Sequence, residues 1–405
     1  MNPASTAESA VALRPANRGG TARERLARGA GPRIFHDYFA IRGGGERLVL
    51  ELASALGGSL VHGYRTSDTY DAAMFPELTA SLDLPPPLRR SGLRPLALAL
   101  AFARLRRAEA ARGGVRIFSG IAAPFAAPRR SLAGFNIYYC HTPPRFLFDQ
   151  REHFAARLRS GQRTLARPIL AGFERAYRDV VGRMDLIVTN SQNTRNRIAR
   201  YLGVESTVVH PPVDTRLFAW AGQGDYYLST ARLTPLKRVD AIVRAFIAIP
   251  DRKLVVASGG EQLEALKRLA AGAPNIAFTG WIDDETLRRL IGQAIATIYV
   301  PRAEDFGMSA VESMAAGKPV IGVAEGGLLE TIIPGRTGIL LPPEFTPDHI
   351  AAAVRALDPD RALRMREPCE LRAHSFSLQK FAASMRAMVE RAERSIAGAS
   401  EMLAS

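Results

Sequence analysis

The chain has 405 residues, 47% of them hydrophobic, with ordinary amounts of Gly and Pro, which excludes a low-complexity or collagenous protein and allows two packed domains of ~100–200 residues each. A formal net charge of +15 points to polyanionic partners (nucleic acid, anionic lipid headgroups or phosphorylated substrates) without choosing among them. The two cysteines, Cys140 and Cys369, lie outside any zinc-ligand spacing and fit a reduced cytosolic protein better than a disulfide framework, and no apolar run approaches the ~18–20 residues of a membrane span.

Residues 1–31 are rich in Ala, Gly and Arg without the compact apolar core of a signal peptide, and are expected to form a disordered leader or an over-long gene start. Arg33–Phe39 reads as a strand, followed by the loop Ala40–Gly45 and an amphipathic helix, ERLVLELASAL. Eight arginines (Arg89, Arg90, Arg94, Arg104, Arg106, Arg107, Arg112 and Arg116) surround the apolar stretch PLALALAFARL. That pattern fits a helix lying in a membrane interface about as well as a solvated helix packed on its own domain. No aromatic-rich platform for nucleic acid accompanies the charge. Strand-like VRIFSG, NIYYCH, DLIVTNS and STVVHPPV complete the first half, and Trp220–Asp225 has the composition of a linker. The second half repeats the grammar with DYYLSTARL, KLVVASGG, NIAFTGW, IATIYVP and KPVIGVAEGG, each followed by a loop and a helix, and ends in a long helical tail from about Phe376. Strands alternating with helices predict α/β layers with parallel sheets, in two Rossmann-like halves.

Open α/β sheets bind ligands at the carboxyl ends of their strands, so the loops after strands are where chemistry is expected. After IATIYVP, the segment RAEDFGMSAVESMAAG places Glu304 in a loop, Phe306–Gly307 in a turn, and Glu312 a little over one turn into a helix. Both carboxylates are expected to face one crevice, with the free N–H groups of Gly307, Met308 and Ser309 forming an anion site suited to a diphosphate. A carboxylate takes two hydrogen bonds from a vicinal diol, which suits Glu312 to a ribose and Glu304 to a sugar. After DYYLSTARL, Arg232 offers a bidentate fork and Lys237 a point charge; in isolation both would be ordinary surface cations. Gly326 and Gly327 before a helix would allow close backbone approach to a ligand, although a tight turn explains them as well. Gly43 and Gly44 occupy the matching place after the first strand, without GxGxxG spacing, and the chain has no P-loop. His141 ends a strand beside two prolines and is a cleft candidate, whereas Asp283–Asp284 reads as a helix N-cap and not a metal site.

Taken together, ARLTPLKRVD, AEDFGMSAVESMAAGKPVIG and EGGLLETIIPGRTG resemble family 4 of the retaining glycosyltransferases, with the GT-B fold, over most of residues 33–345. GGGERLVLELA resembles the family's glycine loop. YYCHTPPRFLFD and VTNSQNTRNRI are similar to bacterial GDP-mannose-dependent mannosyltransferases of O-antigen and exopolysaccharide synthesis. The resemblance implies an acceptor domain (32–213), a nucleotide-sugar domain (214–375) and a tail (376–405) crossing back to the first domain. It further implies that Glu304 binds donor-sugar hydroxyls with Phe306 and Gly307, Glu312 holds the ribose, and Arg232 and Lys237 neutralise the leaving diphosphate without a metal. Gly43 and Gly44 would approach the phosphates, and His141 would sit near the sugar. Ala310 stands where many relatives have proline, and Gly259–Gly260–Glu261 departs from the commoner Gly-Asp/Glu-Gly. The partners expected are a nucleotide sugar, a lipid-linked saccharide and the anionic inner face of the cell membrane, with the enzyme cytoplasmic and peripheral and nucleic acid excluded.

Overall fold

The computed structural model describes residues 31–404 apart from 42, 91 and 157–159, so the expected leader (1–30) lies outside the described residues. The first sheet contains β1 (Arg33–His36), β2 (Ser59–His62), β3 (Thr79–Ser81), β4 (Gly114–Ser119), β5 (Gly134–Cys140), β6 (Leu186–Thr189) and β7 (Thr207–Val208). The second contains β8 (Tyr226–Ser229), β9 (Lys253–Val256), β10 (Ile276–Phe278), β11 (Thr297–Tyr299), β12 (Val320–Val323) and β13 (Gly338–Leu341). The orders are β3-β2-β1-β4-β5-β6-β7 and β10-β9-β8-β11-β12-β13, and every pairing between these strands is parallel. Strand order reverses direction between β1 and β4 in one sheet and between β8 and β11 in the other, which opens a crevice at each switch point.

The helices, in chain order, are α1 (Gly44–Leu56), α2 (Arg94–Ala103), α3 (Arg106–Arg112), α4 (Arg151–Ala156), α5 (Ser160–Val181) and α6 (Gln192–Leu202) beside the first sheet. Beside the second are α7 (Val239–Ile247), α8 (Leu263–Leu269), α9 (Asp284–Gln293), α10 (Met308–Ala315), α11 (Leu328–Thr331), α12 (Pro347–Ala356), α13 (Pro359–Arg364) and α14 (Arg366–His374), with α15 (Leu378–Ala404) as the tail. In the second domain one apolar core runs from Val213 to Phe376. The chain crosses between domains twice, and the crossings are tied together where Val213 N–H donates to the Phe376 carbonyl at 2.9 Å. Beyond that tie, α15 lays Phe381, Met385, Val389 and Ala392 against the first domain, where they share a core with Leu48, Leu52 and Ile117. Their spacing of four, four and three residues keeps them on one helical face.

The arginine-rich stretch packs partly on its own domain, one of the two readings its pattern allows. It forms two short helices and runs on into β4; Leu98, Ala99 and Phe102 of α2 are buried, while Leu96 and Leu100 are exposed. Arg116 is a core residue, 1% exposed, donating to Asn136 Oδ1 at 3.0 Å and to the Glu109 carbonyl at 2.7 Å, so it is no part of a solvated basic face. Arg89 and Arg94 lie over the rings of Tyr64 and Tyr38. No helix among the described residues is long and apolar enough to cross a membrane.

Candidate active site

The carboxyl ends of the two sheets enclose a cleft of about 810 Å³, lined from the first domain by Gly43, Gly44, Gly45 and His141. From the second domain it is lined by Arg232, Lys237, Trp281, Tyr299, Glu304 and the helix start Phe306–Ser309. Two sequence runs about 60–70 residues apart therefore meet because β8 and β11 are neighbours in the sheet.

Lys237 ends the short 3-10 turn Pro235–Lys237. Its Nζ donates to Tyr299 Oη at 2.7 Å and to Glu304 Oε2 at 2.7 Å, and Tyr299 Oη donates to Glu304 Oε2 at 2.9 Å. An ammonium has three N–H donors, so one is left over for a ligand. Arg232 stands exposed earlier in the same loop. The next residue after Lys237, Arg238, adopts φ +51° and donates to the Val300 and Pro301 carbonyls at 2.7 and 2.8 Å, pinning the end of β11. A left-handed backbone at a residue with a Cβ costs about 1–2 kcal/mol, offset here by those two charged hydrogen bonds.

The Glu304 loop is shaped from behind. Ala303, at φ +54°, donates its N–H to Glu325 Oε1 at 2.7 Å, and Gly327 N–H donates to the Glu304 carbonyl at 3.0 Å. A Cβ on Gly326 would stand 2.3 Å from the Glu304 carbonyl oxygen, and one on Gly327 would stand 2.3 Å from Phe306 Cα. The close approach made by Gly326 and Gly327 is therefore to the Glu304–Phe306 backbone, and neither glycine lines the cleft. Gly307, at φ +93°, turns the chain into α10, whose first N–H groups open on the cleft. Glu312 is half-buried one turn into α10, and its charge is felt by Tyr299 of the cleft lining. Four residues after Met308, it lies on the same face of α10 as that cleft-lining residue. Burial raises the Glu312 carboxyl above its ordinary range, opposed by the charge of Arg47 on α1.

On the first-domain wall, a Cβ at Gly44 would stand 2.4 Å from Met308 Sδ, so the glycine admits α10 across the cleft. His141 faces Gly45 and joins a chain of hydrogen bonds, with its Nε2 2.7 Å from Ser119 Oγ and Ser119 Oγ 3.2 Å from His36 Nδ1. Burial lowers His141 to about 4 and His36 to about 3, so both rings are neutral near pH 7. Asp37, at the end of β1, accepts N–H bonds from Ile121, Ala122 and Ala123 at 2.7–2.9 Å, while burial raises its carboxyl to about 6. Burial likewise raises Glu46, in the first turn of α1, to about 7, against the opposing charge of Arg232.

Contacts between the domains, which the sequence reading missed, flank the cleft. Asp305 pairs with Arg145 at 2.8 Å and with Arg197, and its carbonyl accepts from Ser191 Oγ at 2.6 Å. Glu330 accepts the N–H groups of Gln192 and Asn193 at 2.7 and 2.8 Å, so a carboxylate of the second domain caps α6 of the first. Asp283 is the N-cap of α9, accepting from Thr286 N–H at 2.7 Å. Among the described residues no group of three or more His, Cys, Asp or Glu is arranged to hold a metal ion. Cys140 and Cys369 are buried and free.

Comparison with known proteins places this geometry. The family model described as Glycosyltransferase Family 4 matches residues 42–217, and that described as Glycosyl transferases group 1 matches residues 218–370. A GDP-mannose-dependent alpha-(1-6)-phosphatidylinositol monomannoside mannosyltransferase of Mycolicibacterium smegmatis is 30% identical over 223 residues, 47% of this chain and 58% of that protein. Alignments to the first curated relatives reach only 34–58% of those proteins' lengths. In fold, the chain is similar to sucrose-phosphate synthase from Thermosynechococcus elongatus, with a TM-score of 0.68 at 19% identity over 89% of this chain and 98% of that one. It is also similar to Anabaena HepE in complex with UDP-glucose, with a TM-score of 0.65 at 16% identity over 89% of this chain and 100% of that one. With the two family models covering both halves in succession and GT-B structures matching nearly the whole of it, the chain belongs to the family 4 glycosyltransferases of GT-B fold.

Proposed function

We propose that the protein is a retaining hexosyltransferase that moves mannose from GDP-mannose to a lipid-linked oligosaccharide in cell-surface polysaccharide synthesis. The observation that carries the reading is the second-domain wall of the cleft, where Lys237, Glu304, exposed Arg232 and the start of α10 converge on one space. A nucleoside diphosphate placed there has its phosphates against Arg232, the spare Lys237 N–H and the helix N–H groups, with its sugar against Glu304. The bond between the anomeric carbon and the diphosphate oxygen breaks as positive charge develops on the sugar. The acceptor hydroxyl oxygen attacks the same face, and its proton passes to the departing phosphate oxygen. Preorganised cations and N–H groups facing the leaving diphosphate are the largest source of rate in such a step. Neutral His141 lies on the side from which the sugar is approached, and closure of the domains around the donor excludes water. Trp281, 70% exposed at the cleft, offers its indole to the nucleobase.

The donor assignment draws on the mannosyltransferases among the sequence relatives. Another nucleotide sugar of UDP-glucose type is the second reading, favoured by the name of the HepE complex. The lipid-linked acceptor, and a peripheral place on the cytoplasmic face of the membrane, draw on the basic first half and the apolar side chains α2 leaves exposed. NMR of the product formed from GDP-mannose and a polyprenyl-diphosphate-linked oligosaccharide checks the reading: an α-mannosyl linkage is expected, and an inverted β linkage contradicts it. Flotation with anionic liposomes at low salt checks the location, and protein left free in solution contradicts it.

A further inference from the structure

A second cavity, of about 760 Å³, lies in the first domain between α2 and the α4–α5 pair, away from the cleft lining. Pro95 and Leu96 form one wall, Ile169 and Leu170 the other, and Phe146 and Phe173 the floor. The volume is within the ~300–1,000 Å³ range of ligand pockets. Its surroundings are apolar where a solvated helix would be polar: Leu96 and Leu100 of α2 are 41% and 59% exposed, and Leu165 and Ile169 of α5 are 72% and 57% exposed. Each pair is four residues apart, so each helix presents an apolar stripe outward.

Two groove residues, Phe146 and Pro95, are next in sequence to arginines that contact the elements around the cleft. Phe146 on its floor follows Arg145, which donates to the Ala303 carbonyl at 2.7 Å and pairs with Asp305. Arg94, at the start of α2, lies over Tyr38, the neighbour of Asp37 at the end of β1. The lining also includes Arg151, Arg163 and Arg167 against one acid, Glu152. An apolar trough with an excess of arginine fits an apolar chain that carries an anionic group. A second copy of this chain would set the same arginines against each other in a protein of net charge +15.

We propose that this groove seats the hydrocarbon chain of a phosphate-bearing lipid acceptor and so delivers its saccharide end to the cleft, an inference that rests on the lipid-linked transferase reading above. The probes are n-octyl, n-decyl and n-dodecyl phosphate below their micelle concentrations, titrated calorimetrically into the full chain. Affinity is expected to rise up to about fourfold per added methylene. Ile169→Glu and Leu96→Asp change exposed side chains and are expected to weaken dodecyl phosphate at least tenfold, with the circular dichroism spectrum and the GDP-mannose thermal shift unchanged. Replacing Arg163 and Arg167 together by Gln is expected to erase the preference for dodecyl phosphate over uncharged dodecyl maltoside. Affinity independent of chain length, or wild-type affinity in both Ile169→Glu and Leu96→Asp, overturns the proposal. So does a concentration-dependent dimer that Ile169→Glu abolishes, which would give the groove to a second copy. Transfer to a lipid-linked saccharide at unchanged KM in Ile169→Glu removes the groove's role and leaves the transferase reading intact. Chain-length-dependent binding without any transfer by the wild type keeps the groove and removes that reading.

Discussion

On the second-domain wall of the cleft the charges are already joined: Lys237, Tyr299 and Glu304 form a closed set of hydrogen bonds, and Asp305 is held by two arginines from the other domain. On the first-domain wall the titratable groups are buried: His36 and His141, joined through Ser119, are neutral near pH 7, while Asp37, raised to about 6, is still largely ionised there and held by three N–H groups. The difference separates two tasks. In the proposed reaction the second-domain wall would present fixed charge to a diphosphate, which is worth most when nothing must reorganise during the reaction. The first-domain wall would present the uncharged His141 ring to a sugar hydroxyl, and its buried histidines make its stability sensitive to acid.

The largest effect that would break this contrast is expected at the donor wall. Lys237→Ala should lower kcat about 10²–10³-fold, the range for losing one preorganised charge-stabilising donor, with KM for the acceptor little changed. Steady-state kinetics measure it, and a rise confined to the donor KM would move Lys237 from the chemistry to simple binding. Asp305→Ala removes one of the two carboxylates that Arg145 and Arg197 share, leaving them Asp149 alone. Because these side chains are partly exposed, the expected loss is about 1–3 kcal/mol and not the larger figure for a fully buried pair, read by urea unfolding.

Acid should distinguish the walls next. His36 and His62 are buried, with folded pKa values lowered to about 3 and about 4. Between those values and about 6.5 the unfolded chain binds the more protons, so their stabilisation is present above pH 6.5 and lost as pH falls through the window. Asp37, raised to about 6, acts in the opposite sense, since protonation relieves its burial as pH falls. His62 Nδ1 has no hydrogen-bond partner, and the ring packs against Phe39 and Phe75. His62→Phe should therefore fold and should reduce the loss of unfolding free energy between pH 6.5 and 4, by an amount on the order of 2–3 kcal/mol, read by urea unfolding at each pH. An unchanged pH profile would show that His62 titrates normally. The smallest effect is expected at Ser119→Ala, which frees the His141 ring and should lower kcat roughly three- to tenfold while Ser119→Thr restores it, since losing one neutral hydrogen bond costs ~1 kcal/mol. Equal rates in all three proteins would make the bond merely structural.

The features legible in the sequence are those carried by local pattern. Five of the six second-half strands, the glycine turn into α10, the Asp283 cap and the terminal helix follow from spacing or short motifs that fold as read, whereas the crossing of that helix was implied only by the family resemblance. β2, β3 and β13 escaped notice because SLVH, TAS and GILL are too short to show a period against their surroundings. The Glu330 cap and the Asp305–Arg197 pair were illegible for another reason: their partners stand 108–138 residues away and meet only when the domains dock.

The most direct test of the central claim is a thermal-shift comparison of GDP-mannose with UDP-, ADP- and dTDP-sugars on the wild type and on Lys237→Ala. A ligand that binds only the native state stabilises it by about 2.7 kcal/mol at a hundredfold excess over Kd. The account predicts that GDP-mannose raises the wild-type melting temperature by several degrees, more than the other donors, and that Lys237→Ala loses most of that rise. No shift with any nucleotide sugar, or an equal shift in the variant, would contradict it.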